Sequence, residues 1–218
     1  MKYIVLLFWV SVFCAACSED GNNSVMPSVS PESEGTWTDP RDGVVYHWVR
    51  YGGLDWLCEN MRGQNSAGSA VTAEEVVVGT EDFLKYGYLY DFTAANSLGI
   101  DGWRLPSDED WKKLEMALGM SAEEADETGW RGQYVGTLLM QDAAGSGLEL
   151  LCGGYAHDLG GFGTRRYQVD GIYWSSTPDA SQEGYAWCRM ITFNKEQVRR
   201  ETMTTKRYMS VRLVRDAQ

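Results

Sequence analysis

The chain has 218 residues, with 19 Lys and Arg against 31 Asp and Glu, which gives a formal net charge of −12 at neutral pH. An acidic balance of this size argues against nucleic acid and against anionic lipid as electrostatic partners. Once a short N-terminal segment is set aside, roughly 180 residues remain, enough for one domain with a single core.

The N-terminal segment has the composition of an export signal. Lys2 precedes an apolar run over residues 4–16 that is too short to cross about 30 Å of bilayer hydrocarbon as a helix. Small residues directly before a cysteine resemble the lipobox of bacterial lipoproteins, although Cys14 stands where that pattern prefers an aliphatic residue. We predict a lipoprotein signal peptide over residues 1–16 and lipidation of Cys17, with cleavage by the general signal peptidase as the alternative.

A polar segment separates this signal from the folded domain. Residues 17–36 are rich in Ser, Pro, Asn, Gly and acidic side chains and lack apolar periodicity, so we predict a flexible tether. The domain is expected over residues 37–218. It opens with two strand-like runs, residues 44–51 and 54–61, around a Gly-Gly pair, which predicts a β-hairpin.

The next part of the chain lacks a consistent period. Residues 63–82 predict a long surface loop, with a short strand at residues 76–78. The aromatic-rich segment over residues 86–96 is expected to pack against the core.

Helix signals follow in the middle of the chain. Ser107 is placed to cap a helix with Asp110 at its third position, and Gly119 ends that helix. One apolar face of this helix is predicted at Trp111, Leu114, Ala117 and Leu118. A second capping box at Ser121 and Glu124 opens a short helix.

Beyond Trp130, short β-branched or aromatic runs alternate with Gly, Asp and Ser. Strands are predicted over residues 147–152, 171–175, 185–193 and 208–214. Two central helices among many short strands indicate an α+β domain rather than a repeat array or a parallel α/β sheet.

Ordered motifs along the chain resemble one known family. They include Asp39-Pro40-Arg41-Asp42-Gly43, Trp56-Leu57-Cys58-Glu59-Asn60-Met61, Tyr86-Gly87-Tyr88-Leu89-Tyr90, Gly102-Trp103-Arg104-Leu105-Pro106-Ser107, Tyr173-Trp174-Ser175-Ser176-Thr177 and Ser210-Val211-Arg212-Leu213-Val214-Arg215-Asp216. In this order they resemble the Fibrobacter succinogenes major paralogous (FISUMP) domain, typically found in surface or secreted lipoproteins. The resemblance implies a C-type-lectin-like, formylglycine-generating-enzyme-like fold and no established common activity.

The same resemblance bears on location. Ser18-Glu19-Asp20 follows the expected lipidated cysteine and is similar to the acidic signal that sends Bacteroidota lipoproteins to the outer face of the outer membrane. An ordinary acidic linker is the alternative. We expect an outer membrane lipoprotein that is exposed on the cell surface.

Three cysteines lie in the expected domain: Cys58, Cys152 and Cys188. All three lie in apolar or aromatic runs, which favours buried free thiols. The family often carries a cysteine just before its Gly-Trp pair and another in the final strand, where this chain has Asp101 and Leu213. Because joint loss is expected of a bonded pair, the resemblance also suggests a substitute disulfide, with Cys152–Cys188 as the expected pair.

The sequence shows no strong catalytic or metal-binding motif. The two histidines, His47 and His157, have no partner at ligand spacing, and His47 is predicted to be half-buried on a strand. Calcium-dependent sugar-binding C-type lectins use a Glu-Pro-Asn motif, and no proline here precedes Asn. The triplet Asp108-Glu109-Asp110 is explained by the helix dipole. We therefore predict no enzyme activity, cofactor or metal.

One glycine-rich stretch, residues 155–167, combines aromatic rings with charged groups. The candidate ligand-binding residues are Tyr155, His157, Asp158, Arg165, Arg166 and Tyr167. Flat rings and planar hydrogen-bonding groups in one loop suit a glycan or a polar peptide. An ordinary surface loop, with Arg stems covering apolar area, is the alternative.

These observations lead to three functional hypotheses. The first is a surface-tethered, non-catalytic, lectin-like binding or adhesion domain whose ligand is a glycan or a protein. The second is a structural subunit of a surface protein assembly. The third is an oxidase of the formylglycine-generating type, which would need a reactive cysteine pair.

Overall fold

The computed structural model describes residues 26–63, 70–71, 84–140, 146–157 and 166–218. The strands in these ranges are β1 (Glu34–Thr38), β2 (Val45–Tyr51), β3 (Leu54–Leu57), β4 (Ala70–Val71), β5 (Leu89–Tyr90), β6 (Gly129–Arg131), β7 (Asp170–Pro178), β8 (Tyr185–Thr192), β9 (Val198–Thr204) and β10 (Val214–Asp216). The helices are α1 (Phe92–Asn96), α2 (Asp108–Ala117), α3 (Ala122–Asp126) and α4 (Val135–Leu139). Helices and antiparallel sheets together make an α+β domain, with more helices than the two that were predicted.

The first sheet has the strand order β1-β2-β3-β10 and is antiparallel throughout. The predicted hairpin is present, because β2 and β3 pair up to Tyr51 and Leu54 around the Gly-Gly turn. Gly52 and Gly53 have φ values of 59° and 73°, which a two-residue hairpin turn requires and which glycine adopts without steric cost. The described part of the predicted tether lies against the domain: Met26 and Val29 pack on the core, the Glu32 amide donates to Arg50 O, and β1 begins at Glu34.

A two-stranded sheet joins β4 to β5. Most of the predicted loop over residues 63–82, with its strand at residues 76–78, lies outside the described residues. The aromatic segment that follows packs as expected, since Tyr86, Tyr88 and Tyr90 are buried.

The third sheet, which we call the site sheet, has the order β6-β9-β8-β7. Strands β7 and β8 were predicted, whereas β6 and β9 were not. Because side chains alternate across a sheet, the paired residues Arg189 and Arg200 lie on the opposite face from the paired residues Met190 and Arg199. The site sheet therefore has one face toward α2 and a second face, part of which lines a cleft.

Helix α2 begins as the sequence predicts. The Ser107 hydroxyl accepts from the Asp110 amide at 3.1 Å, and the Asp110 carboxylate accepts from the Ser107 amide at 2.8 Å. Trp111, Leu114 and Leu118 are buried, but Ala117 is exposed and does not belong to the packed face. The second capping box, at the start of α3, is also present.

A buried charge network joins α2 to the site sheet. Arg189 Nη1 donates to Asp108 Oδ1 at 2.7 Å, and Arg200 Nη2 donates to Asp108 Oδ2 at 2.7 Å. Arg189 Nε and Arg131 Nη2 donate to the two oxygens of Glu115, each at 2.6 Å. Asp108 therefore has a larger role than the helix-dipole interaction predicted for it, because it fixes the orientation of two strands.

The apolar core lies on both faces of the site sheet. Tyr173 and Ile191 belong to a cluster that includes Trp111 of α2. Ile172 and Cys188 belong to a second cluster that includes the aromatic segment around β5. Successive side chains of β7 and β8 point to opposite faces of the sheet, so each of these strands contributes to both apolar clusters.

Two predicted strands form little or no ladder. Val214 begins β10, whereas the backbone groups of residues 208–213 bond to different elements: Ser210 N donates to Ile172 O, and Val211 O accepts from Met61 N. Residues 147–152 form a single bridge, between Leu150 and Met140. Each segment runs past several elements in turn, so neither stays beside one strand long enough to form a regular ladder.

The disulfide expected from the resemblance is not formed. Cys58, Cys152 and Cys188 are all free thiols. Cys188 lies in the second core cluster, whereas Cys152 packs against the first, on the other side of the site sheet. The favoured interpretation, free thiols packed as apolar groups, fits the structure.

Candidate ligand-binding cleft

An open cleft of about 440 Å³ lies on the face of the site sheet that points away from α2, and we call it the cationic cleft. This volume falls within the range of about 300–1,000 Å³ that is usual for ligand pockets. The lining residues come from all four strands of the site sheet and from the connections before β7, between β8 and β9, and after β9. They are Trp130, Tyr155, Arg166, Asp170, Met190, Thr192, Asn194, Lys195, Arg199, Met203 and Arg207.

The structure brings two of the predicted site residues into this cleft. Tyr155 and Arg166 both line it. The ring of His157 meets the Tyr155 ring edge-on, with centroids 5.5 Å apart. Tyr167 packs its ring against Tyr86, 5.1 Å away, and does not line the cleft.

The remaining predicted site residues are not part of the described structure. Asp158, Arg165 and the expected lipidation site Cys17 all lie outside the described residues. The other histidine, His47, is exposed rather than half-buried, and its Nδ1 lies 2.7 Å from Glu59 Oε1. It lies on β2, away from the cationic cleft.

Arg166 is fixed by its own loop. Its backbone has a φ of 60°, in the left-handed region that non-glycine residues rarely adopt. Its guanidinium forms a salt bridge with the buried Asp170 carboxylate at the start of β7. The hydrogen bond to Asp170 raises the pKa of Arg166 further above its ordinary value. The positive charge at this end of the cleft is therefore permanent.

Four cationic side chains line the cleft, and they face few carboxylates. Arg166 pairs with Asp170, and Arg199 Nη2 lies 2.9 Å from Glu201 Oε2. Lys195 and Arg207 form no salt bridge with any of the described residues. An excess of positive charge is thus concentrated in one cleft of a strongly acidic chain.

Two aromatic rings support these cations. Lys195 Nζ lies 5.2 Å and the Arg199 guanidinium 5.9 Å from the centre of the Trp130 ring. The Arg207 guanidinium lies 4.8 Å from the centre of the Tyr155 ring, and its Nη1 donates to Met203 Sδ at 2.9 Å. These cation–π contacts hold the charged groups over the rings at a modest energetic gain.

Three polar atoms of this region are buried and form no hydrogen bond within the described part of the chain. They are the Nε atoms of Arg199 and Arg207 and the Oε1 atom of Glu201. Burial raises the pKa of Glu201, although Arg199 and Arg207 oppose the shift. Buried polar atoms without partners are costly, and Glu201 lies outside the cleft lining, so these three atoms mark a polar region beside the cleft.

A second cleft, of about 660 Å³, adjoins the first. Trp130, Asn194 and Lys195 line both clefts. The second cleft is also lined by Arg131, whose guanidinium pairs with the buried Glu115. Three exposed glutamates complete its charged lining, and we call it the acidic cleft: Glu124, Glu127 and Glu196. The two clefts therefore form neighbouring sites of opposite charge on either side of one tryptophan.

Sequence reasoning missed the half of the cleft that β6, β9 and the flanking turns supply. Trp130 and Arg199 are far apart in the chain, and they become direct neighbours because β6 pairs with β9. Arg207 and Lys195 lie in turns at the two ends of β9. Strand β9, Val198–Thr204, has two consecutive arginines and no apolar face, so the sequence offered no signal for it.

The thiols lie in environments that suppress their reactivity. Burial raises the pKa of Cys58 to about 12 and that of Cys152 to about 11. Burial also raises the pKa of Cys188, which is inaccessible to solvent. Because the thiolate is the nucleophilic form, all three thiols are poor nucleophiles at neutral pH.

The described residues contain neither a candidate metal site nor a membrane-spanning helix. No group of three or more His, Cys, Asp or Glu side chains in the described ranges is arranged to hold a metal ion. Of the helices in those ranges, none is sufficiently long and apolar to cross a bilayer.

The two four-stranded antiparallel sheets with short helices between them define an α+β domain with an open, charged cleft on one sheet. The chain belongs to the Fibrobacter succinogenes major domain family, whose model matches residues 49–215. That range covers the whole site sheet, part of the first sheet and every described residue of the cationic cleft. A comparison with curated proteins finds no match. A comparison with solved structures finds none either.

Proposed function

We propose that this chain is a non-catalytic surface protein whose domain binds a glycan or a protein ligand in the cationic cleft. The observation that carries the proposal is the convergence of Arg166, Lys195, Arg199 and Arg207 on one cleft, with Trp130 and Tyr155 beneath them. Planar cations held in place by rings form a preorganised surface, and preorganisation reduces the entropy lost on binding.

The proposal includes a C-type-lectin-like fold. It is supported by the arrangement of short strands and short helices around long irregular connections, and by membership of the family. In such a domain the irregular connections provide the binding surface while the sheets provide rigidity. Tyr155, Arg166 and Arg207 follow this division, because they lie in connections at the margin of the site sheet.

The location is part of the same proposal. Residues 1–16 would direct export, Cys17 would carry the lipid, and the polar segment after it would hold the domain away from the outer membrane. The sequence features that support this are the apolar run, the small residues before Cys17, and the acidic Ser18-Glu19-Asp20.

The binding proposal is preferred to the oxidase because of the thiols. The oxidase needs two reactive cysteines near each other, whereas Cys152 and Cys188 pack in different core clusters and have raised pKa values. The structural-subunit hypothesis has no comparable observation in its favour.

A glycan array and a panel of surface proteins test the binding proposal directly. The full-length protein in a mild detergent is compared with an Arg199→Gln, Arg207→Gln double variant. The control is Lys206→Gln, which removes one charge from an exposed residue next to the cleft without touching its lining. Binding that the double variant loses and the control retains supports the proposal, and the absence of any bound ligand contradicts it.

The anchor is tested separately in cells. Wild-type cells and a Cys17→Ala variant are labelled with a palmitate analogue, and intact cells are treated with a protease. We expect label only in the wild type and digestion of its domain without cell lysis. Label that persists in Cys17→Ala, or a domain protected from the protease until lysis, contradicts the proposed anchor or location.

A further inference from the structure

The contacts around the two rings indicate what kind of ligand the cleft selects. A neutral sugar would stack its C–H face on a bare aromatic ring. Here Lys195 and Arg199 lie near the Trp130 ring, and Arg207 lies over the Tyr155 ring. The cleft therefore presents cations on aromatic supports, and this arrangement favours an anionic group over a neutral sugar face.

The pattern of hydrogen-bonding atoms narrows the class of anion. Arg199 and Arg207 both line the cleft, and guanidinium groups bind planar carboxylates through two parallel bonds. Thr192 and Asn194 line the same cleft, and their side-chain oxygens can accept hydrogen bonds beside these donors. An acceptor beside two donors suits a ligand that carries a hydroxyl next to its carboxylate. Uronic acids have this combination.

The adjoining acidic cleft limits how many acidic units the ligand has. Trp130, Asn194 and Lys195 line both clefts, so a chain leaving the cationic cleft passes Trp130 into the acidic one. There it meets the carboxylates of Glu124, Glu127 and Glu196. A second carboxylate on the ligand would be repelled, whereas hydroxyl groups of a neutral sugar would find acceptors.

We propose that the cationic cleft binds a single uronic acid unit of a glycan, with neutral sugar units continuing past Trp130 into the acidic cleft. This inference rests on the proposed binding function and specifies its ligand class. The cationic side provides charge recognition, and the acidic side rejects polyanions. Carboxylate-rich polymers are therefore poor ligands, although the cleft itself is positively charged.

The experiment is calorimetric titration of the full-length protein in mild detergent. The probes are tetrasaccharides of several backbones, each prepared in three forms: entirely neutral, with one terminal uronic acid, and with uronic acid at every position. We expect the form with one terminal uronic acid to bind at least about tenfold more tightly than both others for at least one backbone.

Three variants show which residues cause the difference in affinity. Arg207→Gln should reduce affinity for the singly acidic form by about tenfold or more, and the control Lys206→Gln should not change it. A Glu124→Gln, Glu127→Gln, Glu196→Gln variant should raise affinity for the fully acidic form and leave the singly acidic form nearly unchanged. Circular dichroism and thermal unfolding confirm that each variant is folded.

Other outcomes separate this inference from the proposed function. Equal or tighter binding of the neutral or fully acidic forms overturns the uronic acid inference while the binding function stands. A glutamate-rich peptide that competes with the singly acidic form at equal affinity overturns the inference in favour of an acidic protein ligand. If no glycan binds and no surface protein binds, both the inference and the proposed function fail.

Discussion

Arg189 and Glu115 form a salt bridge from which solvent is fully excluded. Arg189 Nε lies 2.6 Å from Glu115 Oε1, and neither side chain has any exposed surface. The bond links strand β8 to helix α2, on the face of the site sheet opposite the cationic cleft. The rigidity of the cleft thus depends on a charge network behind the sheet.

Removing the shared carboxylate should be costly. Glu115→Ala leaves Arg131 without its carboxylate partner and deprives Arg189 of one of two, so we expect a loss of about 3–5 kcal/mol in the free energy of unfolding. Urea unfolding monitored by circular dichroism measures it. Glu109→Ala is the matched control, because it removes a carboxylate of the same helix whose side chain is largely exposed. Equal losses in both variants would mean that the buried network does not stabilise the sheet.

Protonation of Asp108 should lower the free energy of unfolding in acid. Burial raises the pKa of Asp108, but hydrogen bonds and charges from Arg200 and Arg189 outweigh burial and lower the pKa from 3.8 to about 2. A lowered folded-state pKa stabilises the protein above the unfolded-state value, and this contribution, about 2 kcal/mol, is lost as the pH falls from about 4 to 2.

The variant Asp108→Asn isolates that contribution from those of other carboxylates. Its unfolding free energy should be lower than that of the wild type at pH 7 and should decline less steeply between pH 4 and pH 2. Urea unfolding at pH 7, 4 and 2.5 gives both curves. Parallel curves for wild type and variant would show that Asp108 does not titrate with a lowered pKa.

A glycine in helix α4 should be intolerant of a methyl group. A Cβ on Gly136 would lie 2.2 Å from the backbone oxygen of Gln197, near the turn that lines the acidic cleft. Alanine normally stabilises a helix interior by about 1 kcal/mol relative to glycine, but this overlap forces the backbone apart at a cost of about 1–3 kcal/mol. We expect Gly136→Ala to lower the melting temperature.

The control for this substitution is Gly153→Ala. Its new methyl group would have no neighbour closer than Ser210 Oγ at 3.4 Å, so we expect little change in melting temperature. A Gly136→Ala variant as stable as the wild type would contradict the close packing of α4 against residue 197.

The free thiols lead to a chemical prediction. At pH 8, Cys58, Cys152 and Cys188 should react slowly with a thiol reagent in the folded protein and rapidly after unfolding, because burial raises the pKa of each. Mass mapping of peptides without reduction should find all three alkylated. A Cys152–Cys188 linked peptide would contradict the structure and restore the disulfide suggested by the family resemblance.

The elements that sequence reasoning identified are those with local causes. The Ser107 and Asp110 capping box needs only residues three apart, and the Gly52-Gly53 turn depends on its own backbone angles. Strand β9 has no such local signal. Its two consecutive arginines would be expected on the surface, yet Arg200 is buried against Asp108, which is 92 positions away. Only the tertiary fold supplies the partner that makes this burial favourable.

The candidate site divides in the same way. Tyr155 and Arg166 were predicted because they share one glycine-rich stretch. Trp130 and Arg207 were not, since strand pairing and loop placement bring them to the cleft from distant parts of the chain. Asp108 was explained by the helix dipole, a local effect, and its two arginine partners come from strands β8 and β9.

The most direct test of the account is an NMR titration of the full-length protein in detergent micelles with a tetrasaccharide carrying one terminal uronic acid. We expect the indole N–H resonance of Trp130 and the Nε–H resonances of Arg199 and Arg207 to shift with saturation. The resonance of the buried Trp111 indole should remain in place. Binding that shifts other tryptophans and leaves Trp130, Arg199 and Arg207 unchanged would contradict the assignment of the ligand site to the cationic cleft.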